Sequence, residues 1–208
     1  TVSTVSNHWK GFSNIQNSSN TAVQSDQLTI QFIAPTNMTN CEGVNVLAGD
    51  LIVERYFLRL DSNGTSQQDY ALACDANTPS IVATAQPTTI AGLGDAGQIV
   101  LPRIDHFHVL FGAKNAAGNF AYYTIPQYRT AAQAARDATP SVMPPRILSI
   151  QISVLARSTN NAQNKAIDPA QSFFMLDQTV HASDNTTRFL RRTYNVTIAL
   201  RNAMGESL

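Results

Sequence analysis

The strongest constraint on the fold is a strict alternation of apolar and polar residues near the C-terminus. Within the run 188–202, the apolar members that share one side of an extended backbone are Tyr194, Val196, Ile198 and Leu200. Period-two alternation of this kind is typical of an antiparallel strand with one buried and one solvated face. We therefore predict a C-terminal strand whose apolar side chains are buried.

Strand patterns also occur elsewhere in the chain. They cover the segments 27–33, 50–60, 70–74, 99–112, 120–125 and 147–157. The sequence Asp61-Ser62-Asn63-Gly64 favours a tight turn and so predicts a hairpin between the second and third of these strands. The Ala-rich run 130–138 is the best helix candidate. The prediction is an α+β fold, predominantly antiparallel β, as one domain over residues 1–208 with an irregular lead-in over 1–26.

Composition limits the possible partners. The chain has 14 basic and 14 acidic residues, so its formal net charge is zero. No long-range field would attract it to nucleic acid or to an anionic membrane. Charged residues make up 13% of the chain, against roughly 25% in typical soluble proteins. Solubility therefore depends on neutral polar side chains, which is typical of a β-rich protein outside the cytosol.

The chain contains two cysteines, Cys41 and Cys74. A single pair in a low-charge chain rich in Asn and Thr predicts one disulfide, which would tie the predicted hairpin to the loop before it. The alternative is two free buried thiols in a cytosolic protein. No apolar run of roughly 18 residues occurs, so no transmembrane helix is predicted within the sequence.

Two histidines are the best candidate metal ligands. His106 and His108 are two residues apart on a predicted strand, so both face one side, as in some metal sites. No third ligand has an obvious ligand spacing nearby. We therefore expect no metal site and interpret both side chains as lying on a strand surface.

Enzymatic motifs are weak. Gly92, Gly94 and Gly97 match G-x-G-x-x-G loosely, but no helix is predicted after them to complete a dinucleotide site. No G-x-S-x-G elbow occurs. The sequence predicts a protein that is not an enzyme, with no cofactor and no small-molecule substrate.

A small basic cluster precedes the last strand at Arg188, Arg191 and Arg192. Two hypotheses remain open for it. The arginines could protect an edge strand from sheet-to-sheet aggregation, or they could contact an acidic neighbouring subunit.

Several segments together resemble the PilW-type minor pilins of bacterial type IV pili. They are the opening strand 25–30, Cys41 with the hairpin that ends at Ala71-Leu72-Ala73-Cys74, the strand 104–112, the strand 147–158 and the C-terminal run that ends Ala199-Leu200-Arg201-Asn202. The strands 104–112 and 147–158 are the most specific. The resemblance implies pilin-like sheets that pack on a long apolar N-terminal helix.

That helix would anchor the subunit in the inner membrane and later pack inside the filament. No such helix occurs in this sequence, so we expect Thr1 to be an arbitrary boundary within a longer protein. The resemblance implies a place in a complex of minor pilins that faces the periplasm, primes pilus assembly and then occupies the pilus tip, with a large adhesin as a further partner. The alternatives are a J-type minor pseudopilin of type II secretion, which shares the architecture, and a secreted carbohydrate-binding β-domain.

Overall fold

The computed structural model describes residues 20–64, 69–81, 90–162, 165–184 and 186–200. The lead-in anchors Trp9, Phe12 and Ile15 lie outside these residues. In chain order the elements are β1 (Leu28–Ile33), β2 (Met38–Thr39), β3 (Asn45–Val46), β4 (Asp50–Leu60), β5 (Tyr70–Ala76), β6 (Ser80–Ile81), β7 (Gln98–Pro102), β8 (Ile104–Lys114), β9 (Phe120–Thr124), α1 (Ile125–Asp137), β10 (Arg146–Arg157), β11 (Ser172–Met175), β12 (Gln178–His181) and β13 (Arg191–Ala199). The predicted class, α+β with predominantly antiparallel strands, is confirmed.

The strands form two main antiparallel sheets. The first has the order β1-β4-β5-β7, with β6 also paired to β4. The predicted hairpin is confirmed, since β4 pairs with β5 and Tyr56 lies opposite Cys74. The second sheet has the order β13-β10-β8-β9, so β13 is an edge strand. Two short hairpins, β2–β3 and β11–β12, stand outside these sheets.

The core lies between the two sheets. The first sheet contributes buried Leu28, Leu58 and Leu72, which pack against Phe107 and Val109 of β8 and Ile150 of β10. The alternation along β8 and β10 puts every second side chain on this face, because cross-strand partners share a face. Strands β8 and β10 therefore form the centre of the fold, with β13 beyond them.

The single strand predicted over 99–112 is wrong. The chain bends at Arg103, whose φ is 56°, so β7 ends at Pro102 and β8 begins at Ile104. Strand β7 pairs with β5 in the first sheet, whereas β8 pairs with β10 in the second. This bend carries the chain from one sheet to the other, and it occurs at a non-glycine residue directly after Pro102, a strand-breaking signal within the predicted strand.

The helix begins earlier than predicted. It runs from Ile125 to Asp137, and Thr124 forms a capping box with Gln127. A proline in the first turn also favours this start, because the missing N–H is not needed there. The helix packs near the second sheet through Tyr128, whose ring lies edge-on to Phe111. No helix in the described part of the chain is long and apolar enough to cross a membrane.

The hairpin β11–β12 lies in a segment that the sequence did not predict to be structured. Its buried side chains Phe173, Met175 and Val180 pack on Leu155, on the face of the second sheet that points away from the main core. Residues 20–26 run along the same region, and Asn20 and Asp26 donate backbone hydrogen bonds to Asp105 and Phe107 of β8. The second sheet is thus covered on both faces at β8 and β10.

Candidate interaction surface

The apolar face of β13 is open to solvent. Tyr194, Val196 and Ile198, which we call the β13 strip, are 54%, 51% and 44% exposed. The prediction that these side chains are buried is wrong. They do lie on the core face, because they pair directly with Val154, Ile152 and Ile150. The first sheet, however, packs over β8 and β10, so the edge strand extends beyond it.

In the part of the chain that the structure describes, charge on this edge strand is confined to its start, at Arg191 and exposed Arg192. From Thr193 to Ala199 the strand carries no charged residue, and the opposite face presents Thr193, Asn195 and Thr197. Exposed edge strands usually carry charges or bulges that prevent pairing with other chains. An apolar strip on an edge whose charge is confined to one end is a candidate contact surface.

The basic cluster separates into different environments. Arg191 donates from Nε to Oδ2 of Asp105 at 2.7 Å, and its side chain is only 4% exposed. It therefore supports the fold, which neither hypothesis for the cluster predicted. The side chain of Arg188 is half-buried and its backbone pairs with the 161–162 loop, whereas Arg192 is exposed. Both hypotheses, edge protection and a subunit contact, remain open for Arg188 and Arg192.

Asp105 links several segments at the start of β8. Its buried carboxylate accepts a hydrogen bond from Nδ2 of Asn20 at 2.8 Å and lies 3.4 Å from Nε of Arg157. Arg157 also pairs with Asp69, and its guanidinium lies over the ring of Phe189. The carboxylate thus connects the 20–26 segment, β10 and β13 at one end of the second sheet.

The two histidines are buried, so their assignment to a strand surface is wrong. His106 is fully buried and hydrogen-bonds through Nδ1 with Thr21 at 2.8 Å and through Nε2 with Gln178 at 2.9 Å. Burial, together with the charge of His108, lowers the pKa of His106 to about 4. His108 instead contacts a carboxylate at each ring nitrogen, Asp26 and Asp177, both at 2.7 Å. Burial opposes its charge, but these two carboxylates raise its pKa above the ordinary value.

A second buried ion pair lies in the first sheet. Arg55 pairs with Asp75, and both side chains are fully buried. Glu42 and Asp95 approach Asp75, so that one oxygen of each of the three carboxylates lies within 4.8 Å of the others. Burial raises the pKa of Asp75 to about 6, while the N–H of Gly94 and the charge of Arg55 oppose that rise. The positive charge of Arg55 partly neutralises this acidic group.

Cys41 and Cys74 form a disulfide, as predicted. Their Cα atoms are 6.1 Å apart, and the bond joins the loop after β2 to the middle of β5. Cys74 is fully buried. The bond therefore attaches the β2–β3 hairpin region to the first sheet.

Loss of this disulfide should destabilise the protein. With Cys41→Ala and Cys74→Ala together, we expect the free energy of unfolding to fall by about 2–4 kcal/mol, because the unfolded chain regains the freedom of a closed loop of sequence separation 33. Urea unfolding of the variant and of wild type, each with and without reductant, measures the change. Reductant should shift wild type toward the variant and leave the variant unchanged. An identical midpoint for oxidised and reduced wild type would contradict this expectation.

The described residues thus form two packed antiparallel sheets with an apolar strip exposed along one edge strand. Residues 55–202 match the family described as Type IV Pilus-assembly protein W. This match covers well over half of the sequence, so the chain belongs to that family. It confirms the resemblance noted in the sequence.

A type IV-like pilin from Thermus thermophilus is similar over 97% of this chain and 94% of its own, with 13% sequence identity and a TM-score of 0.39. No curated protein gave a significant match to the chain.

Proposed function

We propose that this protein is a minor pilin subunit that takes part in priming type IV pilus assembly and in the complex at the pilus tip. Membership of the pilus-assembly family supports a role in the pilus. The exposed β13 strip supports protein–protein association as the mode of action. Its proposed partners are other minor pilins and a large tip adhesin. Its proposed location is the inner membrane facing the periplasm, and then the pilus tip.

The occupant proposed for the β13 strip is an apolar α-helix. From Tyr194 to Ile198 the strip is about 13 Å long at the usual rise of a strand, which equals between two and three turns of helix. Half-buried Ile152 and Val154 widen the apolar surface toward β10. Two adjacent strands span about 10 Å, close to the diameter of one helix. The dimensions therefore fit a single helix lying along β13.

The strip alone is too small for tight binding. Complete burial of an aliphatic or aromatic side chain stabilises by about 1.5–3 kcal/mol, and these three side chains are already about half-buried. Their combined contribution is about 3 kcal/mol, whereas association itself costs an estimated 4–15 kcal/mol. The covering helix must therefore be held by further contacts, either within the same subunit or in a membrane-bound complex. The isolated domain should be monomeric in dilute solution.

Co-purification from membranes tests the proposal. The full-length protein with its native N-terminus is expressed together with the neighbouring minor pilins, and the complex is isolated through a tag on this subunit. We expect the other minor pilins to co-purify and a deletion strain to lose surface pili. Recovery of type II secretion subunits instead would assign the protein to a secretion fibre. Absence of any complex, with normal piliation and twitching in the deletion strain, would reject the minor-pilin assignment.

A further inference from the structure

The turn of the β11–β12 hairpin is held by the two buried histidines of β8. The turn consists of Leu176 and Asp177, since Met175 pairs with Gln178 across it. Asp177 bonds to Nε2 of His108, and the adjacent Gln178 bonds to Nε2 of His106. These contacts fix the tip of the hairpin to the second sheet, in addition to the apolar packing along its length.

The turn itself is unfavourable. Leu176 has a φ of 58°, in the left-handed region that a two-residue hairpin turn normally fills with Gly or Asn. A leucine there is strained. Hydrogen bonds between the histidines and the side chains of the next two residues, Asp177 and Gln178, offset that strain. The turn therefore depends on the histidines more than an ordinary hairpin turn would.

His108 can satisfy both of its neighbours only as an imidazolium. Each ring nitrogen must donate a hydrogen, because Asp26 and Asp177 are acceptors when ionised. In the neutral ring one nitrogen carries a lone pair, which would face a carboxylate. Asp26 is fixed by a second bond, since its Oδ2 also accepts from the backbone N–H of Val109 at 2.9 Å. Asp177 lies on the turn with its side chain 46% exposed, so it is the partner that is free to leave.

We propose that protonated His108 is a pH-sensitive latch that holds the β11–β12 hairpin and the 20–26 segment on the second sheet, and that loss of its proton releases the hairpin turn. The charged and titratable groups that face the ring are Asp26 from the 20–26 segment, Asp177 from the turn and His106 from its own strand. His106 stays neutral in the relevant range because its pKa is about 4. The directly paired residue of β10, Ser153, carries no charge.

The direction in which pH changes the stability follows from the linkage between proton binding and folding. The pKa of His108 is higher in the folded protein than its ordinary value of 6.5. Its contribution to stability is therefore complete below that ordinary value and is lost as the pH rises through the folded pKa. The latch is closed in acidic solution and opens on the alkaline side.

Hydrogen exchange of the hairpin amides, residues 172–181, tests the latch. Protection factors are measured from about pH 5 to about pH 9, around the range where histidine titrates. In wild type, we expect them to fall about tenfold as His108 loses its proton, the effect of losing one charge-assisted hydrogen bond. In Asp177→Asn the protection should already be reduced at low pH and should change little as the pH rises. This variant removes a half-exposed charge, so it should fold.

Two controls separate the latch from general effects. His181→Gln removes the exposed imidazole at the other end of the hairpin and should keep the wild-type pH profile. Asp137→Asn removes an exposed carboxylate on α1 and should also behave as wild type. An NMR titration should give His108 a pKa above 6.5, lowered in Asp177→Asn. Wild-type protection that does not change with pH, an Asp177→Asn profile equal to wild type, or a His108 pKa at or below 6.5 would each overturn the proposal.

Discussion

Replacing Asp105 with alanine should lower the free energy of unfolding by about 3–5 kcal/mol, the range observed when one partner of a buried ion pair is removed. The carboxylate is fully buried and accepts hydrogen bonds from Arg191 and Asn20. Its removal leaves the guanidinium of Arg191 inside the protein without its acceptor. Because native domains are stable by only about 5–15 kcal/mol, the variant should be close to unfolding. Urea unfolding monitored by circular dichroism measures the loss.

A matched control shows whether the loss of stability is specific to a buried carboxylate. Asp137→Ala removes a carboxylate whose partner in α1, Gln133, is also exposed, and it should change the unfolding free energy by no more than about 0.5 kcal/mol. Asp105→Asn retains an acceptor but not the charge and should fall between the two. A loss of less than about 1 kcal/mol in Asp105→Ala would mean that water or a rearranged side chain replaces the carboxylate, and that this end of the sheet is not held as described.

Elements with a local repeating pattern were predictable from the sequence. Strand β10 was expected over 147–157 and spans Arg146–Arg157, and β1 was expected to start one residue before Leu28. In both segments the apolar alternation marks the element because burial on one face repeats with the geometry of the strand. The pairing of Cys41 with Cys74 was predictable for a different reason, since no other cysteine is present in the sequence.

The exposure of the β13 strip could not be read from the same pattern. Alternation shows that a strand has an apolar face, but it does not show whether a second layer reaches that face. Strand β13 has the same pattern as β10, yet the first sheet covers Ile150 and leaves Val196 half-exposed. The difference depends on the position of each strand within the sheet, and only the tertiary structure supplies that position.

The buried polar contacts were missed because they join distant parts of the chain. Asn20 lies 85 residues from Asp105, and Asp177 lies 69 residues from His108. No spacing rule connects such residues. One usable signal was present, since His106 and His108 occupy a strand with apolar residues on both sides in sequence. Buried imidazoles require hydrogen-bond partners, and the lead-in contains a carboxylate that can serve, Asp26.

Replacing Val196 with aspartate should prevent the subunit from entering its membrane complex while leaving the domain folded. Val196 is the centre of the β13 strip and is 51% exposed, so a charge there remains hydrated in the isolated domain. Covering it with an apolar helix would bury an unpaired carboxylate, which costs several kcal/mol. We expect the amount of co-purified minor pilins to fall at least roughly tenfold, because a loss of about 1.4 kcal/mol in binding free energy already lowers an affinity tenfold. Surface pili should also be lost.

The same strand offers the control. Thr197 is also exposed and follows directly in sequence, but its side chain points to the opposite face of β13 because successive side chains along a strand alternate. Thr197→Asp therefore introduces the same charge on the same strand, and it should leave both the melting temperature and complex formation near wild type. Equal loss with both variants would indicate that the free backbone edge of β13, not its apolar face, makes the contact. Normal assembly with Val196→Asp would show that the strip is not covered in the pilus complex, and the association would then have to be sought at exposed Arg192 and half-buried Arg188.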